Sequence, residues 1–381
     1  MTLYDILDMF KGAFYTTGLW CLSWKFLVMW CVAGLFLYLA IAKNFEPLLL
    51  LPIGFGIFIV NFPLVPLMGR TPDGPQLLQI FYHYGLEWSL MPCLIFLGLG
   101  ALTDFGPLIA NPKMFLVGAG AQLGVFVTFT GCVLVGFTLK EAASVSIIGG
   151  AEGPTTIYLT QQLAPQLLGP NALAAYSYMA MVPIIQPIFM KWLTTPEERV
   201  IRMRQLRPVS KTEKILYPLI SVFVITILVP VVTPLMGMFM LGNLIKESGV
   251  VARLNDAAQN AIMNSVTVFL GLTVGATMTA DKFIHPKTLF ILSLGLIDFA
   301  ICTIGGICTV KLMNLFLKEK INPLIGSAGV SAVPMSARVS QLMGQKYDKR
   351  NYLLMHAMGP NLAGAMGAAA AGGMLLAMFG K

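Results

Sequence analysis

A single carboxylate stands in an apolar, glycine-rich stretch of the chain, "SIIGGAEGPTTIYLTQ" at residues 146–161. Glu152 is the only Asp, Glu, Lys or Arg between Ala142 and Met190. A charged side chain near the centre of a bilayer costs roughly 2.5–3.5 kcal/mol even on lenient insertion scales, and such residues commonly mark ion or proton pathways. Glu152 is therefore a candidate cation ligand if this part of the chain lies in a membrane.

Two further stretches combine polar side chains with glycine and proline. They are "INPLIGSAGVSAVPMSARVSQ" at 321–341 and "MGPNLAGAMG" at 358–367. A break in a helix leaves backbone carbonyls without their helical hydrogen bonds. At membrane depth such carbonyls are tolerated only when they are buried in protein or line a cavity. A small hard cation would satisfy these groups together with Glu152, Ser331 and Asn361. With one carboxylate, a monovalent ion such as Na⁺ or H⁺ fits better than a divalent ion.

The alternative for these stretches is structural. Glycines can simply permit close helix packing, as small-xxx-small motifs do, and Glu152 would then hydrogen-bond locally. Arg338, the only charge between Lys320 and Lys346, could likewise snorkel to the interface or hold an anionic group bidentately. Asp298 is a second apparently intramembrane acid, and Tyr178 is by default a packing tyrosine.

The composition supports the membrane setting. Hydrophobic residues make up 57% of the 381 residues and charged residues only 11%, whereas soluble domains are about 25% charged. Apolar runs of about 17–25 residues are long enough to cross a bilayer. We expect an all-α polytopic membrane protein with about ten or eleven membrane segments, some of them not full crossings.

The formal net charge of +8 is concentrated in one polar interruption. Residues 191–214 carry seven Lys or Arg against three Glu, and the positive-inside rule makes this loop cytoplasmic. It is either a topology signal with some contact to anionic lipid or a docking surface for a cytosolic partner. The pattern indicates no nucleic-acid binding. The sequence as a whole predicts four segments: an amphipathic N-terminal lead-in (1–25), a first membrane repeat (26–192), a basic cytoplasmic loop (193–214) and a second membrane repeat (215–381).

The two proposed repeats share four short matches in the same order. "FLGL" occurs at 96–99 and 269–272, "NPK" at 111–113 faces "HPK" at 285–287, "GGAEG" at 149–153 faces "IGSAG" at 325–329, and "YMAMVP" at 178–183 faces "MHAMGP" at 355–360. The offset drifts only from 173 to 177 residues. This pattern indicates an internal duplication, as in many secondary transporters, with the site at midplane breaks in both halves. We expect inverted repeats with broken or re-entrant helices.

Several of these stretches closely resemble one known family, the β subunits of the sodium-pumping, biotin-dependent decarboxylases. They are "FEPLLLLPIGFG", "ALTDFGPLIANPK", "IIGGAEGPTTIYL", "AAYSYMAMVPIIQP", "NPLIGSAGVSAVPMSARVSQ" and "LLMHAMGPNLAGAMG". That family serves oxaloacetate, glutaconyl-CoA, methylmalonyl-CoA and malonate decarboxylase complexes. The resemblance runs from about Phe45 to the C-terminus.

The resemblance implies a chemical role that the residue pattern alone does not give. The β subunit would decarboxylate carboxybiotin held by a partner, consuming a proton and exporting Na⁺ across a bacterial inner membrane. Partners would be biotin-carrier and carboxyltransferase subunits, a small membrane γ-type subunit, and further copies of the chain. The family's functional residues fall on Glu152, Tyr178, Asn322, Gly326, Ser331, Arg338 and Asn361.

In that assignment Glu152, Ser331 and Asn361 hold the cation, Asn322 and Gly326 belong to the same cation-binding set, and Arg338 and Tyr178 are catalytic. Glu152 departs from the Asp of the best-known members of the family, so the ion site has a carboxylate on a longer arm. The alternative function is a secondary cation transporter or antiporter of similar architecture without carboxybiotin chemistry.

Overall fold

The computed structural model describes residues 14–65, 67–72 and 74–380. The predicted N-terminal lead-in therefore lies mostly outside the described residues. Its described end contains a 3₁₀ turn at Gly18–Cys21, ahead of the first long helix. Apart from loops and one antiparallel pair of two-residue strands, Arg70–Thr71 with Gly74–Pro75, the described chain is helical, which confirms the all-α class.

Two compact units make up the chain, and each combines separate stretches of sequence. The first unit contains residues up to 88 together with 267–288, and the second contains 89–266 together with 289–381. The helices wholly within the first unit, after the 3₁₀ turn, are Trp24–Lys43, Pro47–Val60, Leu77–Ile80, the π-helical Phe81–Glu87 and Ala280–Phe283.

The second unit contains every residue assigned to the predicted site. Its helices before residue 200 are Leu90–Leu102, Gly106–Ala110, Met114–Ala121, Leu123–Leu134, Leu139–Ser146, Ile147–Gly150, Gly153–Leu163, Pro165–Leu167, Leu168–Leu193 and Pro196–Arg199. Those after residue 200 are Lys211–Leu228, Pro230–Val232, Thr233–Ser248, Ala252–Asp256, Ala257–Ile262, Pro323–Gly329, Met335–Tyr347 and Leu354–Phe379. Two more helices, Met263–Ala276 and Pro286–Phe316, each contribute residues to both units.

Six helices of the described chain are long and apolar enough to cross a membrane. They are Trp24–Lys43, Met114–Leu134, Pro165–Leu193, Ala252–Ala276, Pro286–Phe316 and Leu354–Phe379. A pair bent by 62°, Leu77–Glu87 with Leu90–Leu102, raises the number to seven if it forms one span. The remaining apolar runs form shorter or broken helices, and the chain is a multi-pass membrane protein.

Residues 193–214, here called the connector, run from the end of the helix Leu168–Leu193 to the first turn of Lys211–Leu228 and contain neither helix nor strand at 200–210. The buried Arg199 side chain anchors it: Nε donates to Thr194 Oγ1 at 2.8 Å, and the guanidinium also donates to Tyr347 OH at 2.7 Å and Lys191 O at 2.6 Å. Arg202 donates to Asp348 Oδ2 at 2.6 Å, which lowers the pKa of the Asp348 carboxyl. The connector is thus fastened to the chain that follows Met335–Tyr347.

Candidate functional site

The first break, residues 147–152, interrupts the chain between two helices. Leu139–Ser146 continues into a 3₁₀ turn at Ile147–Gly150, Ala151 takes a left-handed conformation with φ +50°, and Glu152 precedes Gly153–Leu163. A non-glycine residue with positive φ is uncommon and is maintained only where the surroundings enforce it. Glu152 is 6% exposed. The sequence of glycines around this acid therefore produces a true interruption of the helix.

The second break, residues 323–334, contains the 3₁₀ segment Pro323–Gly329 and the non-helical residues before Met335–Tyr347. It meets the first break directly. Ser331 N donates to Gly150 O at 2.9 Å, and Ser331 Oγ donates to Glu152 Oε2. Residues 179 positions apart in sequence are thus in contact, and two of the three predicted cation ligands are adjacent.

Asn361 satisfies carbonyls that the second break frees. It lies in Leu354–Phe379 and is fully buried. Its Nδ2 lies 3.0 Å from Ala328 O, 2.9 Å from Val330 O and 2.8 Å from Ser336 Oγ. Its Oδ1 has no hydrogen-bond partner among the described residues. The amide nitrogen is committed to the backbone, and the oxygen remains available to a ligand.

Two more buried oxygens near the first break lack a partner in the described part of the chain, and neither was predicted from the sequence. They belong to Thr155, which is 1% exposed, and to Gln122, which is 4% exposed. Thr155 lies in the first turn of Gly153–Leu163, and Gln122 separates Met114–Ala121 from Leu123–Leu134. A lone amide in an apolar run was the available signal for Gln122.

Tyr178 forms no hydrogen bond to Glu152 or Ser331 among the described contacts. The hydroxyl donates to Leu292 O of Pro286–Phe316. Another tyrosine, Tyr176, packs against the first break: its Cε1 lies 2.1 Å from the position that a Cβ on Gly153 would take. Tyr176 is fully buried, and its contact with the first break was not predicted from the sequence.

Asn322 and Gly326 have structural contacts in this conformation. Asn322 Nδ2 donates to Arg199 O at 3.0 Å and Ile201 O at 2.8 Å, while its Oδ1 accepts from Leu324 N at 3.0 Å. A Cβ on Gly326 would lie 2.4 Å from Gly306 O, so only glycine fits against that helix. The structure brings neither residue into a recorded contact with Glu152.

Arg338 lies on Met335–Tyr347 and is exposed. Its guanidinium forms no hydrogen bond or ion pair to any residue that the structure describes, unlike Arg199 and Arg202. An exposed guanidinium without an internal partner can bind an anionic ligand. The structure thus keeps Arg338 apart from the buried contact between Glu152 and Ser331.

Asp298 hydrogen-bonds the backbone of the first break. It is fully buried, its Oδ2 accepts from Gly149 N at 2.9 Å, and Cys302 Sγ lies 3.5 Å from its Oδ1. The Thr128 side chain also hydrogen-bonds this carboxyl. A Cβ on Gly149 would lie 2.0 Å from Asp298 Cγ. Donors therefore surround Asp298, and the contact requires glycine at position 149.

The chain is similar to the beta subunits of several decarboxylases over almost its whole length. It is 52% identical to methylmalonyl-CoA decarboxylase subunit beta of Propionigenium modestum, over 99% of this chain and 100% of that protein. It is 53% identical to glutaconyl-CoA decarboxylase subunit beta of Acidaminococcus fermentans, over 96% of each chain. It is 49% identical to the oxaloacetate decarboxylase beta chain of Klebsiella pneumoniae, over 92% and 94% respectively.

The family model described as "Na+-transporting oxaloacetate decarboxylase beta subunit" matches residues 25–379. This match confirms the resemblance found in the sequence and agrees with a buried carboxylate between two broken membrane segments. By the extent of these similarities, the chain belongs to the family of Na⁺-transporting decarboxylase β subunits.

Proposed function

We propose that this chain decarboxylates carboxybiotin delivered by a partner subunit and couples the step to Na⁺ export by alternating access. In this step the N–CO₂⁻ bond of carboxybiotin breaks, a proton is taken up on the biotin nitrogen, and CO₂ leaves. The observation that carries the proposal is the meeting of the two breaks at Glu152 and Ser331. Near it lie buried oxygens without a partner in the described chain.

The proposed cation ligands are Glu152, Ser331 and Asn361. One carboxylate and neutral hydroxyl and amide oxygens match a monovalent hard cation better than a divalent one. Na⁺ would neutralise Glu152, so the loaded site can pass a hydrophobic barrier that the bare carboxylate cannot. This difference in free energy between the loaded and empty states would couple binding to alternating access.

For the chemical step, we assign Arg338 to the carboxylate or ureido oxygen of carboxybiotin. Its support is an exposed planar guanidinium without a partner among the described side chains. Tyr178 remains our candidate for passing the proton, and this role requires its hydroxyl to leave Leu292 O. For Asn322 and Gly326 we favour shaping of the second break over direct cation binding, because their contacts are with backbone groups.

The proposed partners are a biotin carrier, a carboxyltransferase and a small γ-type membrane subunit, with more than one copy of this chain in the complex. A basic cavity of about 840 Å³ beside the connector, lined by Lys113, Arg202, Arg204, Arg207, Lys318 and Lys320, favours an anionic partner surface on the cytoplasmic side. A transporter without carboxybiotin chemistry is the second candidate. Co-purification of a biotinylated protein distinguishes the two.

The cation proposal is tested by measuring carboxybiotin decarboxylation against Na⁺ concentration in the purified complex. Glu152→Gln keeps an oxygen but removes the charge, so Na⁺ stimulation is expected to disappear while the protein still inserts. Glu152→Asp shortens the arm and is expected to retain transport with a shifted half-saturating Na⁺ concentration. Because H⁺ and Na⁺ compete for one carboxylate, the wild-type half-saturating concentration should rise as the pH falls.

Exposed Asp281→Asn is a suitable control, because this acid pairs with Lys25 at the surface and does not line the basic cavity. It should leave Na⁺ stimulation unchanged. Wild-type Na⁺ dependence in Glu152→Gln would exclude Glu152 as the cation ligand.

A further inference from the structure

Gln122 is held in a fixed orientation at the place where the two breaks meet. Its Nε2 donates to Gly364 O of Leu354–Phe379 at 3.2 Å. Its Oε1 lies 3.3 Å from the position that a Cβ on Gly150 would take. Gly150 is the residue whose carbonyl accepts the Ser331 N–H. The amide nitrogen therefore fixes the side chain, and the oxygen faces the first break.

The last helix links Gln122 to the predicted cation ligands. Gly364, the acceptor for Gln122, follows Asn361 by three residues and so lies about one helical turn further on. A Cβ on Gly364 would lie 2.1 Å from Gly329 O and 3.6 Å from Ser331 N. Gln122 thus contacts the same short stretch of helix that carries Asn361 and packs against the second break.

The Oε1 atom of Gln122 is buried and accepts no hydrogen bond from the described residues. Buried polar groups are satisfied in the great majority of cases, and an orphaned acceptor signals an unseen partner such as an ion or a water. Asn361 Oδ1 and Thr155 Oγ1 are in the same condition. All three oxygens belong to segments that form or contact the two breaks, and a cation bound there would supply the electropositive partner that each of them lacks.

We propose that Gln122 is a ligand of the transported cation, with its carbonyl oxygen joining Glu152, Ser331 and Asn361. This inference rests on the proposed function, and it adds a residue from the first long span of the second unit to a site otherwise built from the breaks. A neutral amide oxygen adds a ligand without charge, which favours a monovalent cation. Gln122 then sets Na⁺ affinity and the preference of Na⁺ over Li⁺.

The test compares Gln122→Met with wild type in the purified complex. Methionine keeps the length and volume of the side chain, so the substitution removes the amide, both its oxygen and its hydrogen bond to Gly364 O, without opening a cavity. The half-saturating Na⁺ concentration for decarboxylation should rise by about tenfold or more, as expected for the loss of one interaction with a charged group. The rate at saturating Na⁺ should stay within about threefold of wild type, because loss of a contact made equally in the bound and reacting states raises the half-saturating concentration and leaves the maximal rate unchanged.

Gln122→Asn provides a second variant. It keeps an amide on a side chain that is one methylene shorter, so the oxygen lies further from the first break. It should give an intermediate half-saturating concentration and a changed ratio of Na⁺ to Li⁺ affinity. Na⁺-dependent protection of the complex against heat gives a readout that does not depend on turnover, and it should shift in parallel.

Asn243→Leu is the matched control. Asn243 is also a buried amide whose oxygen lacks a partner in the described chain, but its nitrogen donates to Gly100 O and Thr103 O, in and just after the helix Leu90–Leu102. This control variant should lose heat stability and keep its Na⁺ half-saturation. An equal shift in both variants would mean that buried amides act through stability alone and would overturn the proposal.

Glu152→Gln is assayed in parallel. If it abolishes Na⁺ dependence while Gln122→Met stays within twofold of wild-type half-saturation, the proposed function stands and the role of Gln122 is rejected. A lower rate for Gln122→Met at every Na⁺ concentration, with unchanged half-saturation, also rejects it. Wild-type Na⁺ dependence in Glu152→Gln would instead overturn the proposed function.

Discussion

At the scale of single residues, Arg338 provides a sharp test of the chemical half of the proposal. Arg338→Lys keeps the charge but loses the planar pair of donors that binds a carboxylate bidentately. We expect Na⁺ protection to persist and carboxybiotin decarboxylation to fall by about tenfold or more, the loss expected for one charge-assisted hydrogen bond. Arg350→Lys, a matched change at another exposed arginine, should have wild-type turnover. Normal turnover in Arg338→Lys would make Arg338 a topology or packing residue.

Asp298 tests whether the second buried acid acts by charge or by accepting hydrogen bonds. Asp298→Asn can still accept from Gly149 N, whereas Asp298→Leu leaves that buried donor without a partner at a cost of about 1–3 kcal/mol. We therefore expect Asn to retain most activity and Leu to lower the melting temperature and to weaken Na⁺ binding. Thermal unfolding and Na⁺ half-saturation measure the two effects. Equal loss of turnover in both variants would indicate that the charge itself is required.

Some site residues could be predicted from the local sequence, and others could not because their role depends on tertiary packing. Glu152 could be found because it is one acid in a long uncharged stretch, and the structure brings it to Ser331 as expected. Gln122 could not be assigned, since its relevance depends on its packing against Gly150 and Gly364 rather than on its neighbours in sequence. Which of Tyr176 and Tyr178 faces the first break likewise depends on tertiary packing.

At the scale of elements, the apolar runs and their interruptions were predictable, but the path of the chain through each interruption was not. Both ends of the second interrupted segment return to Arg199: Asn322 Nδ2 donates to Arg199 O, and Arg199 donates to Tyr347 OH. In the first segment, Asn171 Nδ2 bonds both Ser144 Oγ and Thr160 Oγ1. These contacts favour two re-entrant hairpins, residues 140–166 and 318–349, that meet at their tips.

The attachment of the second hairpin to the connector leads to a double-mutant prediction. Asn322 and Asn351 each donate to the same two carbonyls, Arg199 O and Ile201 O. Either single Asn→Ala variant leaves each carbonyl one donor, and the double variant leaves none. The double variant should therefore lose more stability than the two single variants together, and the coupling free energy should be about 0.5–3 kcal/mol. Thermal unfolding in detergent measures it.

The exposed connector residue Gln205 gives the control for this cycle. Gln205→Ala should combine additively with either asparagine variant, because neither amide contacts its side chain in the described hydrogen bonds. Strict additivity in the Asn322 and Asn351 double variant would show that the two amides do not hold the connector jointly.

At the scale of the whole molecule, the two compact units do not follow the two proposed repeats. The "FLGL" of the first repeat at 96–99 lies in one unit, and its counterpart at 269–272 lies in the other. Short sequence matches can indicate a duplication, because they require only local similarity. They cannot reveal how the duplicated elements are shared between packed units, which depends on long-range contacts.

The connector leads to a prediction for the orientation of the repeats. Lys113 lines the basic cavity with the connector, as does Lys318. The span Met114–Leu134 follows Lys113 and has 21 residues, enough to cross a bilayer. Lys140, at the start of the first hairpin, is therefore expected on the opposite face of the membrane from Lys318, at the start of the second. Equivalent positions on opposite faces mean inverted repeats.

Labelling of single cysteines from each side of the membrane tests this arrangement. Lys140→Cys and Gln166→Cys, at the two ends of the first hairpin, should both react from the outer face. Lys318→Cys and Lys349→Cys, at the ends of the second, should react from the cytoplasmic face together with a marker at Gln205 in the connector. All five positions are exposed, and Cys21, Cys31, Cys93 and Cys308 are replaced beforehand because they are exposed or partly exposed.

Buried Cys132 and Cys302 are left in place, because Cys302 contacts Asp298 and both are shielded from the reagent. Labelling at Lys140 and Gln166 from opposite faces would mean that the first interrupted segment crosses the membrane and is not re-entrant. Labelling at Lys140 from the same face as Gln205 would mean parallel repeats. The expected pattern instead places one hairpin on each side, so that Glu152 and Ser331 meet between them and the cation has a route to either face as the hairpins move.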